Sequence, residues 1–281
     1  MIVYRVFVTY PSRRPFVFRT FPYPMLLPPC SLPLSDGRAC NVLLDVPIGE
    51  APTGGWPVAY VLDIRQFHVM RAAVDMLPGV LVGVGSARAT DRVWDYTPRL
   101  VGQPHPPPGM AGRASGLLRV LEEVVRPLVQ AVAPIDVCRQ VLCGHSLGAL
   151  FALYVLGHRP RLFQGYVLSS PSLWWGGGYG LRMIRRRLPR VCAADLCLGI
   201  HLTAGEYEQG LGPEDAEAPT QERVERLARR RARRMIDHMH ELNAYLALCP
   251  GLRVRCEVLA GLAHGNASAG SLLPGWRWLL M

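Results

Sequence analysis

The chain has 281 residues, half of them hydrophobic, and 31 Lys+Arg against 21 Asp+Glu, so it can bury a sizeable core while carrying a formal charge of +10. That charge raises nucleic-acid binding, but no P-loop, zinc-knuckle spacing or basic–aromatic repeat accompanies it, and an anionic small substrate is as good a reason. Every cation is an arginine, a residue suited to bidentate contact with carboxylates and other delocalised anions, although the complete lack of lysine points first to a bias in the coding sequence.

Pro11 to Pro57 is rich in proline, and "FPYPMLLPPCSLPL" reads as an extended lead-in over about residues 1–37 rather than a helix or inner strand. The rest is expected to form a single domain. "NVLLDVPI" and "WPVAYVLDI" follow as strands on either side of the turn-rich "GEAPTGG". A short helix is expected through Met70–Met76, then the buried strand "GVLVGVGS" and a long proline-rich loop that reaches "GMAGR". "SGLLRVLEEVVRPLVQAV" reads as a helix that Pro127 should kink or divide.

"VLCGHSLGALFALYVL" comes next, with Val137–Cys143 as a short buried strand and Ala149–Leu156 as an apolar helix. Ser146 stands between them, flanked by Gly144 and Gly148 in the pattern G-x-S-x-G, which bends a chain sharply so that a serine hydroxyl faces solvent. His145 is expected to project away from that serine and pack the turn. "GYVLSSPSLWWGGG" and "DLCLGIHLTAGEYE" continue the chain, and Gln221–Leu248 reads as one long arginine-studded helix with an apolar stripe from Val224 to Leu246. "LRVRCEVLAGLAHG" supplies a last strand and "LLPGWRWLLM" a closing helix.

Strands alternating with helices imply a mainly parallel sheet covered on both faces, with functional residues at the carboxyl ends of strands. Ser146, the acidic "GEYE" and the "AHG" of His264 all fall at such ends, in the serine, acid, histidine order of the α/β-hydrolase fold. A serine hydroxyl needs a base within hydrogen-bond reach. His201 lies in a strand and His238 and His240 on the long helix, which leaves His264 after the final strand as the base. Glu208, three residues past Gly205, is favoured as the orienting acid; Glu206 remains an alternative and Asp215 is close by.

The eight cysteines show no C-x-x-C spacing, and several sit inside apolar runs as small core residues do. No metal site or cofactor is expected. The N-terminus has no signal-peptide pattern and no apolar run is long enough to span a bilayer, so a soluble cytoplasmic protein without a membrane partner is expected, or a periplasmic one if the chain is a processed form.

"YVLDIRQF", "DRVWDYTP", "LCGHSLGALFALYVL", "YVLSSPSLWW", "GEYE" and "LAHG" together resemble the successive motifs of the α/β-hydrolase family that contains bacterial siderophore esterases, enzymes that open ferric enterobactin and salmochelin trilactones. The resemblance runs from about Arg38 to the C-terminus and extends to plain carboxylesterases of the esterase D type. It implies Ser146 as nucleophile, His264 as base and Glu208 as acid, with an oxyanion held by the amides of Leu147 and of Arg65 in "LDIR". Ile64 and Ala149 stand where the family usually has glycine, and "GRASGLL" stands where it has G-x-D.

On this reading the substrate is a small ester, with a ferric siderophore trilactone as the expected anionic case. Arg92 and Arg65 would meet its charge, while Tyr96, Trp174 and Trp175 would line the site, the two tryptophans stacking on aromatic rings. A general carboxylesterase of small acyl or aryl esters is the alternative. A non-catalytic binding protein on the same fold is a further one.

Overall fold

The computed structural model describes residues 25–26, 30–33, 39–73, 78–86, 91–100, 112–193 and 196–281. Most of the proline-rich lead-in, the end of the helix expected at 70–76 and parts of the long loop lie outside them. Two pieces of the lead-in are strands, β1 (Met25–Leu26) and β2 (Cys30–Pro33), both antiparallel to β3 (Ala39–Val46) at the margin of the sheet. Proline is tolerated there because an edge strand leaves one side without ladder bonds.

The sheet continues through β4 (Trp56–Leu62), β5 (Val80–Ser86), β6 (Ile135–His145), β7 (Gly165–Ser169), β8 (Leu198–Gly205) and β9 (Leu252–Leu259). Its order is β1-β3-β5-β4-β6-β7-β8-β9, with β2 also on β3, and the six strands from β5 to β9 along that path are parallel. Burial on both faces requires nearly continuous apolar strands, and every residue of "PVAYVL" in β4 is buried.

The alternation along β4 sorts two cores. Ala59 and Val61 face a layer with Phe67, Met70, Leu272 and Trp276, supplied by α1 (Ile64–Ala72) and α9 (Ala267–Leu280). Val58, Tyr60 and Leu62 face the other layer, built from α3 (Ala114–Val120), α5 (Leu147–His158), α6 (Trp175–Ala193) and α8 (Met235–Leu246), with α2 (Arg92–Tyr96) beside them. α1 starts six residues earlier than the sequence suggests because Asp63 caps it, its carboxylate accepting from the Arg65 amide at 3.0 Å. Ile64, in the family's glycine position, is simply the first helical residue; the positive φ of 85° falls on Asp63.

Pro127 lies in a helical stretch that runs unbroken from 114 to 132 but changes its bonding just before the proline. Between α3 and α4 (Arg126–Val132) lies a π-helical turn, Leu121–Val125, so the chain reaches the proline with wider i→i+5 bonding such as Arg126 N–H to Leu121 O. The helix expected over 221–248 is two helices, α7 (Thr220–Arg233) and α8, broken at Arg234 in the left-handed region at φ 48°. Met235, Met239, Leu242 and Leu246 form the buried stripe in α8, whereas α7 buries no residue and Val224 is 57% exposed. Among the described residues no helix is long and apolar enough to cross a membrane.

Candidate active site

Ser146 sits between β6 and α5 at φ 59°, ψ −116°. This strained turn is fixed by its backbone: the Ser146 amide donates to Ser169 O at 2.9 Å, and its carbonyl accepts from Leu150 and Ser172, each at 3.1 Å. Gly144 is obligatory, since a Cβ there would stand 2.4 Å from the Gly148 backbone. Gly148 lets the helix pass β4, where a Cβ would meet that of Leu62 at 3.3 Å.

The ends of β8 and β9 bring the partners. Gly205 leads into a 3-10 turn, Glu206–Glu208, and the Glu208 carboxylate folds back to accept from the Gly205 amide at 2.7 Å. That local bond is why the spacing of three carries Glu208 inward. Its other oxygen lies 2.8 Å from His264 Nδ1, and His264 Nε2 lies 3.0 Å from Ser146 Oγ. Ser146, His264 and Glu208, the residues expected to act together, thus form one hydrogen-bonded line. Glu206 points elsewhere, accepting from the Gly261 amide at 2.7 Å. Asp215 is buried between Arg226 and Arg230, which with the Gly212 amide outweigh its burial and hold its carboxyl at about 2.

Glu208 is buried at 3% exposure. Burial pushes its carboxyl up, but the His264 hydrogen bond and charge, the Ser170 hydroxyl and the Gly205 amide together hold it below the ordinary carboxylate value. Ser170, itself at φ 47°, donates to the Glu208 oxygen that Gly205 also touches. Ser172 places its hydroxyl 3.1 Å from Ser146 Oγ. Neither serine had an assigned role in the sequence, though both stand in "SSPS" at the carboxyl end of the strand paired with the elbow strand, where parallel neighbours converge.

His145 is a buried packing residue, as expected, but it also reaches the base. It is buried beneath His264, ring centroids 4.8 Å apart, with Nδ1 3.1 Å from Ser169 Oγ. Burial first, and then the neighbouring His264, push it down to about 3 from 6.5. Between those values the unfolded chain binds a proton that the folded protein excludes, so stability should fall as pH drops through this window, by up to about 1.4 kcal/mol per pH unit. Denaturant midpoints measured from neutral to acid pH check this; in His145→Gln that part of the slope should be missing. Glu208 adds its own loss only at lower pH, where its unfolded-state carboxyl takes up a proton first.

Ser146, Ser172, Trp174, Arg230, Arg233 and His264 are among the residues around a cleft of about 430 Å³. Five other expected site residues, Leu147, Arg65, Arg92, Tyr96 and Trp175, are not among those that line it. Tyr96 is fully buried, its hydroxyl donating to Val84 O at 3.3 Å, and Trp175 is 3% exposed with its ring against Tyr179; both are core, because a motif fixes position along the chain and not exposure. The Arg65 amide, expected as an oxyanion donor, donates to Asp63 at 3.0 Å in capping α1. Arg92 spends its charge on Asp63, Nε to carboxylate 2.5 Å. Trp174 alone of the aromatic candidates lines the cleft, held by three successive left-handed glycines, Gly176 to Gly178, whose first two carbonyls accept from Arg182.

Among the described residues no cluster of His, Cys, Asp and Glu has the makings of a metal site. A mainly parallel sheet, a strained serine between strand and helix, and a buried acid reaching that serine through a histidine define an α/β-hydrolase. Residues 37–244 match the model of the family described as "Putative esterase", and the chain belongs to that family of carboxylic ester hydrolases. It is 32% identical over 196 residues to the ferri-bacillibactin esterase BesA of Bacillus subtilis, covering 62% of this chain and 68% of that one. To the siderophore enterobactin esterase of Emericella nidulans it is 34% identical over 189 residues, 62% of this chain and 58% of the relative. The siderophore hydrolase EstB of Aspergillus nidulans superposes with a TM-score of 0.78 at 26% identity, over 90% of this chain and 94% of that one.

Proposed function

We propose that the protein hydrolyses ester bonds of siderophores, with Ser146 as nucleophile, His264 as general base and Glu208 as the acid that orients it. The reading rests above all on the hydrogen-bonded line from the buried Glu208 through His264 to Ser146 Oγ, open to a cleft that holds an indole and arginines. Ser146 Oγ attacks the ester carbonyl while His264 Nε2 takes its proton, and Glu208 stabilises the imidazolium without itself becoming protonated. The oxyanion forms beside the Leu147 amide, at the start of α5, where the positive end of the helix dipole favours negative charge. His264 then protonates the departing alcohol, and water repeats the cycle on the acyl-enzyme.

The siderophore relatives and the cationic chain together favour an anionic ferric siderophore over a neutral ester. A panel of a ferric triscatecholate trilactone, a ferric hydroxamate ester and a short neutral aryl ester tests this. The trilactone should be preferred by about tenfold or more in kcat/KM, and the preference should shrink with added salt as charges are screened. Equal efficiency on the short ester without salt dependence would replace the siderophore reading by a general carboxylesterase.

A further inference from the structure

We infer that Arg233, laid on the face of Trp174, is the anion-recognition element of the cleft, and that the surface helix α7 exists to present it. The inference rests on the reading of the cleft as the substrate site. Four arginines had reasons to meet an anion; Arg65 is not among the residues that line the cleft, and their partners separate the other three. Arg92 is neutralised by Asp63 outside the cleft. Arg230 lines the cleft, but its guanidinium is held by the buried Asp215, by Gly210 O at 2.8 Å and by Glu214 at 3.3 Å. That also spends the Glu214 charge. Arg233 lines the same cleft, its guanidinium carbon 4.8 Å from the centre of the Trp174 ring, and no carboxylate among the described residues pairs with it.

A guanidinium stacked on an indole is oriented by the ring and keeps its edge donors for a planar anion. The complementary ligand is an aryl or acyl group with a carboxylate or catecholate oxygen, lying against the same indole. The rest of α7 follows from this role. With no buried residue it cannot be docked by an apolar face; Arg226 and Arg230 on Asp215 tether it instead, and the left-handed Arg234 ends it just past Arg233, where α8 begins.

The test separates recognition from turnover. In the Ser146→Ala background, calorimetric binding of 4-acetoxybenzoate is compared with that of its neutral methyl ester, with Arg233 intact, as Arg233→Gln and as Arg233→Lys. With Arg233 intact the anion should bind better than the methyl ester. Arg233→Gln should reduce the anion-to-neutral affinity ratio by about tenfold, and Arg233→Lys should restore part of it, since lysine keeps charge but not the planar donor fork. An unchanged ratio in Arg233→Gln, or no binding of the anion with Arg233 present, overturns the assignment. Turnover of both esters by the unmodified protein is scored separately: its absence would fail the hydrolase reading while the binding ratio still decides Arg233.

Discussion

Ser146→Ala is expected to lower kcat/KM on any ester the protein cleaves by about four to six orders of magnitude and to abolish labelling by a fluorophosphonate. The hydroxyl lies 3.0 Å from His264 Nε2, and without it the imidazole has no positioned nucleophile to deprotonate. The fold should persist, because the bonds that fix this residue run through its backbone amide and carbonyl. His264→Ala should cost a similar factor, and the double variant little more than either alone, since groups that act as a unit fail together. Hydrolysis of a p-nitrophenyl ester, with thermal melting to establish folding, is the measurement. Activity within tenfold of the unmodified protein would remove Ser146 from the chemistry.

The second large effect separates two glutamates that are two residues apart. Glu208→Gln should reduce kcat by about three to four orders of magnitude, because an amide facing His264 Nδ1 neither fixes the required tautomer nor stabilises the imidazolium. Glu206→Gln should stay within a few-fold of the unmodified enzyme, since its carboxylate accepts from the Gly261 amide and not from His264. Parallel kcat measurements on the two variants decide between them. A larger loss at Glu206 would overturn the orientation assigned to the 3-10 turn.

Ser146 and its two partners were legible because each depends on local rules: a glycine-flanked elbow, a glutamate three residues past a strand-end glycine, and a histidine after the last strand. Exposure was not legible. "DYTP" and "SPSLWW" locate Tyr96 and Trp175 along the chain, yet whether a ring enters the cleft or the core depends on the helices packed over it. The break between α7 and α8 left no signal either, as the left-handed residue is an arginine and not the glycine or asparagine that usually marks such a stop. His145 was read from the local turn alone, and its true neighbour, His264, is more than a hundred residues away and reaches it across the two strands β7 and β8. Arg233 was one arginine in a run of them, and only the carboxylates that claim its neighbours set it apart.

β9 ends the sheet, and among the described residues nothing pairs with its outer margin. An unpaired ladder of amides and carbonyls is a template on which a second chain can add a strand. In "LRVRCEVL" the side chains of Arg253, Arg255 and Glu257 interrupt what would otherwise be an apolar ribbon; Arg255 lies 2.7 Å from Glu257, and Arg253 covers the Trp278 ring at 4.4 Å. A strand arriving from another molecule would have to lie beside those charges and desolvate them in part. Charges of both signs on the outermost strand are the kind of side chain that keeps an exposed edge from pairing with another chain, and here they stand at the end of the run of parallel strands.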